Sequence, residues 1–320
     1  MITTPFTRSF DLQHPVVLGP MGGVAGGRLA AAVSNAGGLG LVGGGYGDVE
    51  WLKTELALAK ELARRPWGVG FITWNISEAA LELALEARPS VMMLSFGDPR
   101  KYAATIKAAG CRLVCQVQDV AGARLAQEAG AEVIVAQGTE GGGHGGARAT
   151  MALLPAVVDA VPSVPVLAAG GIADGRGMAA ALMLGAQGVL MGTRFYATRE
   201  ALGHDQAKQR IVQGQGDATQ RTRVFDIVRG YDWPAGYTGR ALQNPFIERW
   251  HGREEELAGS VATEGPAFWA AAADADYDVA MVWASEAIDL IDSIPSAAEV
   301  VEQISAQAEL RLRSAAGLLE

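Results

Sequence analysis

The chain has 320 residues, is 49% hydrophobic and 19% charged, and carries a formal net charge of -9 with a pI of about 5.1. That length suits one large domain, or a large domain with a small partner. The acidic balance argues against nucleic acid and anionic membrane as general partners, and no apolar run reaches membrane-spanning length.

From residue 16 onward, apolar strand-like runs alternate with segments of helical periodicity. The runs are VVLGPM (16–21), LGLVGG (39–44), GVGFIT (68–73), VMMLSF (91–96), RLVCQV (112–117), VIVAQG (133–138), VPVLAAGG (164–171) and GVLMGT (188–193). Between them lie AGGRLAAAVSNAGG, DVEWLKTELALAKELARR, SEAALELALEA, PRKYAATIKAAG, DVAGARLAQEAG and DGRGMAAALMLGA. Asp48, Ser77, Asp98, Asp119 and Asp174 stand where N-caps belong, because their side chains can accept from the free N–H groups of a first turn. Eight such units imply a parallel sheet buried on both faces. Their regularity favours an α/β (β/α)₈ TIM barrel over an open doubly wound sheet.

After residue 196 the rhythm breaks. EALGHDQAKQRIVQG and FIERWHGREEELAG read as helices, and TQRTRVFDIVRG as a hairpin arm or an irregular strand. Trp233, Trp250, Trp269 and Trp283 fall in this region, as the lining of an apolar pocket or as the subdomain's own core. The expected division is a barrel of residues 1–199 and 285–320 with a mainly helical insertion, 200–284, after the eighth strand. SAAEVVEQISAQAELRLRSA, capped by Ser296, returns as the last barrel helix.

Cys111 and Cys115 sit four residues apart on one strand, too far apart to bond. They read as buried reduced thiols, and two thiols cannot complete a structural zinc site, so no metal is expected. The N-terminal MITTPFTRSFDLQHP lacks an apolar core of signal-peptide length, and the cytoplasm is the expected location.

In a barrel of this kind chemistry gathers where strands end. The unusual residues do fall there: Pro20, Met21 and Gly22; Thr73; Gln116; Gln137, followed by GTEGGGHGG; Gly170 and Gly171; Gly192 and Thr193. Glycine turns after strands seven and eight commonly cradle a phosphate on backbone N–H groups. No G-x-G-x-x-G opens a helix at the right distance from an acid, so a mononucleotide or sugar phosphate fits better than a dinucleotide.

GPMGGVAGGRLAAAVSNAGGLG, GVGFITW, AQGTEGGGHGG, VLAAGGIADG and MGTRF together resemble the nitronate monooxygenase family, in that family's order over about the first 200 residues. GRALQNPFIERW resembles its insertion. The resemblance implies noncovalent FMN at the barrel rim. Pro20, Met21 and Gly22 would approach the flavin ring. Thr73 and Gln116 would bond the ring or ribityl chain, and Gln137 would sit beneath the ring. Gly141, Gly170, Gly171, Gly192 and Thr193 would serve the ribityl-phosphate end. His144 matches the active-site histidine. Gly70 stands where many relatives carry asparagine, and Gln116 where some carry lysine.

An imidazole can take the proton from carbon next to a nitro group at neutral pH. His144 is therefore the expected catalytic residue. Glu140 reads as a solvated loop carboxylate, and His14, His204 and His251 as surface or packing residues. The implied reaction is FMN-dependent oxidation of alkyl nitronates, or nitroalkanes, by dioxygen to a carbonyl compound and nitrite. A flavin reductase using NAD(P)H on a quinone or enoyl thioester is the first alternative. A non-redox phosphate-binding barrel is the second. The expected partners are a small-molecule substrate and dioxygen, with homodimer formation left open.

Overall fold

The computed structural model describes residues 1–319. Eight parallel strands form the barrel: β1 (Val16–Leu18), β2 (Gly40–Gly45), β3 (Trp67–Ile72), β4 (Val91–Ser95), β5 (Arg112–Val117), β6 (Val133–Gln137), β8 (Val166–Ala169) and β9 (Val189–Met191). They pair in the order β1-β9-β8-β6-β5-β4-β3-β2, and a parallel bridge between Val17 and Leu39 brings the two edges together. The fold is the expected TIM barrel.

Alternation along the strands splits the core in two, since successive side chains point to opposite faces. Val17, Leu41, Met93, Val114, Val135 and Leu167 fill the barrel interior. Val16, Val42, Met92, Leu113, Ile134 and Ala168 pack outward against the helices. A helix absent from the sequence reading, Pro5–Phe10, adds Phe6 and Phe10 to the interior cluster. Its start is set by a capping box between Thr4 and Thr7, with proline at the first turn.

Asp48, Ser77, Asp119, Asp174 and Ser296 cap helices as expected. Asp98 stands one residue early, because Pro99 takes the cap position of Arg100–Ala108. Asp98 still accepts from the Arg100 N–H at 2.9 Å. The helix Ala297–Ser314 lies against Gly175–Met183, where the Gln307 side chain accepts from the Gly175 N–H. Cys111 and Cys115 are free and buried, and burial pushes the Cys115 thiol up to about 12.

The region after β9 differs from the reading. It holds the expected helix Asp205–Gln213, but also strands β10 (Thr219–Thr222) and β11 (Thr238–Leu242). TQRTRVFDIVRG is half strand and half helix, the helix being Val224–Arg229. FIERWHGREEELAG is not one helix. It breaks between Trp250 and Glu254, where Gly252 adopts φ +81°. β10 and β11 form an antiparallel sheet whose third strand, β7 (Gly143–Gly145), comes from the glycine-histidine loop. Among the described residues, no helix is long and apolar enough to cross a membrane.

Candidate active site

The loop after β6 is built rather than loose. Thr139 N–H donates to the Arg148 carbonyl, and Glu140 accepts from the Thr150 N–H and hydroxyl at 2.9–3.0 Å. Glu140 thus holds the start of the helix Thr150–Ala160, which corrects its reading as a solvated carboxylate. Arg221 and Arg240 both donate to the Thr139 carbonyl, at 3.0 and 3.2 Å. Burial lowers the Arg221 guanidinium to about 10. On this frame β7 pairs His144 opposite Gly239.

The His144 side chain is only 9% exposed at this end of the barrel. Its Nε2 lies 2.9 Å from both carboxylate oxygens of Asp226. Arg229 donates from Nη2 to Asp226 Oδ1, also at 2.9 Å. The imidazole stacks on Trp233 at 3.6 Å and 5°, with Trp283 tilted at 5.2 Å. Burial pushes the His144 imidazole below its ordinary value. Asp226 opposes this shift, and the charges of Arg229 and Arg221 add to it.

The expected rim residues come together from several strand ends. Gln116 and Gln118 both donate from Nε2 to Gln137 Oε1, at 3.0 and 2.8 Å, and Gln137 Nε2 donates to the His144 carbonyl. Gln137 is thereby committed to holding the histidine strand. Gly170 and Gly171 adopt φ +91° and +72°, which a side chain would resist, and a Cβ on Gly170 would stand 2.7 Å from the Gly138 carbonyl. Gly141 faces Gly170, and Gly192 faces the Met21 sulfur. Thr193 accepts from the Ser285 N–H at 3.1 Å, linking the rim to the chain returning from the insertion. At Gly70 a Cβ would lie 2.4 Å from Pro20 Cγ, so this barrel has no room for the asparagine of relatives.

Aromatic rings from both regions close over the rim. Trp233, 2% exposed, is edge-on to Trp74 and Phe96. Its Nε1 donates to the Tyr46 hydroxyl at 2.9 Å, and Tyr46 stacks on Tyr231 at 3.9 Å. Trp250 belongs to the separate core of the insertion, and Trp269 is 49% exposed. Asp226, Arg229 and Tyr46 escaped the sequence reading, whereas Trp74 was legible beside Thr73 at the end of its strand. The i, i+3 spacing of Asp226 and Arg229 is a usable signal only once their helix is recognised.

Several polar groups here lack partners. Thr73 Oγ1 and Trp74 Nε1 are buried without a hydrogen bond. The N–H groups of Gly171, Gly192 and Thr193 donate to no acceptor among the described residues. Buried polar groups are normally satisfied, so this cluster fits a ligand that brings both phosphate oxygens and ring polar atoms. A cavity of about 530 Å³ lies elsewhere, between Arg210, Leu242, Tyr277 and Val282. Its Arg210 and Asn244 are already paired, with Asp278 and with the Tyr277 and Ala280 carbonyls. We place the chemistry at the rim, where unpartnered groups and His144 converge.

Comparison with known proteins identifies the family. The chain is 31% identical to the (3aS,4S,5R,7aS)-5-hydroxy-7a-methyl-1-oxo-octahydro-1H-indene-4-carboxyl-CoA dehydrogenase of Mycobacterium tuberculosis, covering 100% of this chain and 99% of that one. It is 34% identical to nitronate monooxygenase npaC of Metarhizium robertsii, over 97% and 94% of the two chains. The structure of FabK from Thermotoga maritima superposes with a TM-score of 0.88 at 30% identity, over 99% and 100%. The family model for nitronate monooxygenase matches residues 3–79 and 72–307, and with these motifs on this barrel the chain belongs to the nitronate monooxygenase family, a family of oxidoreductases.

Proposed function

We propose that this oxidoreductase uses FMN to oxidise alkyl nitronates with dioxygen, and that His144 first removes the proton when the substrate arrives as a neutral nitroalkane. The observation that carries this reading is a buried imidazole, biased toward its neutral form, beside a rim of unpartnered phosphate-type and ring-type donors. FMN, when bound, supplies an electron acceptor that can also react with dioxygen. Gly170, Gly171, Gly192 and Thr193 would hold its phosphate end, with Gly141 alongside. Pro20, Met21 and Gly22 would bound the ring, Thr73 and Gln116 would bond it, and Gln137 would support it from below. In balance, two nitronate ions and one dioxygen give two carbonyl compounds and two nitrite ions. Residues 200–284 serve as the substrate-side domain of a barrel formed by 1–199 and 285–320, since Asp226 and Trp233 reach His144 from there.

A second reading has a specific observation behind it. The full-length likeness to a carboxyl-CoA dehydrogenase favours an acyl thioester substrate, the alternative in which NAD(P)H would take part. Oxygen uptake by the purified protein, with nitronate and with NADH in parallel, separates the two. Rapid anaerobic bleaching of the flavin by NADH, with no nitronate-driven oxygen uptake, would replace the first reading by the second. Membership of an oxidoreductase family sets aside the non-redox alternative.

Two results are expected at this site. Gly192→Asp should fold and lose flavin. A Cβ there meets only the Met21 side chain, Sδ at 3.4 Å and Cγ at 3.8 Å, and aspartate suits the cap position, but its carboxylate would repel a phosphate. Full FMN content in the purified variant would put the phosphate elsewhere.

The second result concerns pH. The neutral imidazole is the active form and burial lowers its pKa from the ordinary 6.5, so the acid limb of nitroalkane turnover should have its midpoint below pH 6.5. Stability has the same sign. The unfolded chain takes up the proton that folded His144 resists, so stability declines as pH drops below the ordinary 6.5. An acid limb of kcat/KM lying above pH 7 would contradict the assignment.

A further inference from the structure

We propose that Asp226, clamped by Arg229, is a positioning residue that fixes His144 in the tautomer with the proton on Nε2, leaving Nδ1 as the atom that accepts the substrate proton. This rests on the base role given to His144 above. Both Asp226 oxygens lie 2.9 Å from Nε2, and a carboxylate can only accept, so the hydrogen between them belongs to the ring. The carboxylate is 1% exposed and cannot turn to water.

Arg229 holds the carboxylate from the other side. Its side chain is 6% exposed, it donates from Nη2 to Oδ1, and it is anchored by Nε to the Phe225 carbonyl. The helix Val224–Arg229 that carries both is packed through Val224, Phe225 and Val228 into the insertion core with Phe246, Leu257 and Phe268. Stacking on Trp233 sets the plane of the imidazole, and β7 sets its backbone. Every degree of freedom of the ring is thus taken up, and Nδ1 has no hydrogen-bond partner among the described residues.

The arrangement also dictates what amidation would do. In Asp226→Asn the amide oxygen must face Arg229, which can only donate. The NH₂ group then takes the Oδ2 position, also 2.9 Å from Nε2, where it opposes a hydrogen on that nitrogen while the amide oxygen at the Oδ1 position still accepts it. The bias for a proton on Nε2 is weakened, and rings that carry the proton on Nδ1 cannot accept one from substrate.

The test is the ¹⁵N spectrum of His144 in wild-type protein labelled at histidine, assigned by its loss in His144→Ala. At pH 8 a protonated Nε2 and a bare, pyridine-like Nδ1 are expected. A protonated Nδ1 or an imidazolium at pH 8 would overturn the proposal without recourse to any variant. In Asp226→Asn the two signals should move toward each other as the Nε2–H tautomer loses its advantage, and turnover of a neutral nitroalkane should fall more than that of the preformed nitronate. Equal losses on both substrates with the wild-type tautomer retained would also overturn it. The spectrum does not depend on which substrate is oxidised, so a correct tautomer without nitronate turnover would sink the proposed function and leave the tautomer set by Asp226 standing.

Discussion

Replacing His144 by alanine is expected to lower turnover of a neutral nitroalkane by roughly 10²–10⁴, the usual contribution of a positioned acid–base group. Turnover of the corresponding preformed nitronate should fall far less, because its proton has already gone. The structure indicates why the fold should survive. Asp226 keeps Arg229 as a partner when the imidazole is removed, so no buried carboxylate is left alone. The strand β7 is held by backbone pairing and by Gln137, neither of which needs the ring. Steady-state kinetics on both substrates, with a thermal melt as control, decide the matter. Equal losses would assign His144 to binding the nitro group. Undiminished turnover of both would leave it a structural residue.

The second large effect concerns the barrel itself. Gly40 opens β2 where the helix Gly27–Asn35 crosses it, and a Cβ there would stand 1.8 Å from the Ala30 carbonyl oxygen. A backbone carbonyl within a helix cannot move aside as a side-chain tip can. Gly40→Val should therefore cost about 3 kcal/mol or more, the upper end of overpacking penalties, or prevent folding. Gly259→Ala is the counterpart. It lies inside the helix Glu254–Ala273, a Cβ there meets nothing within 4 Å, and it should gain about 0.5–1 kcal/mol. Urea denaturation measures both. A Gly40→Val variant within about 0.5 kcal/mol of wild type would refute the contact, since that is the range of an inconsequential substitution.

Much of the first 200 residues was legible because its signals are local. Apolar β-branched runs mark the strands, and Asp48, Ser77, Asp119 and Asp174 mark helix starts within a few residues of the groups they bond. The short helix Pro5–Phe10 was missed because six residues give too little periodicity, although Thr4-Pro5 was a usable cap signal. Gln116 and Gln137 were legible as strand-end residues, but not as a pair, for their contact joins positions 21 residues apart. The insertion was poorly legible. β7, β10 and β11 are three to five residues long, and β7 comes from a loop about 93 residues upstream of β11, the strand it pairs with.

What the sequence by itself determined is the alternation of strands and helices, and hence that the glycine turns, the glutamines and His144 share one rim. Alternation is written in neighbouring residues, and barrel closure then brings every strand end to the same face. What only the tertiary structure decided is the state of the histidine. Asp226 lies 82 residues beyond His144, on a helix within a region that read as a hairpin arm or an irregular strand. Trp233 reaches the same ring from a further turn of chain. A proton's position on an imidazole depends on which acceptor sits within 3 Å, and that follows from how the insertion docks on the barrel rather than from residues near His144 in the chain.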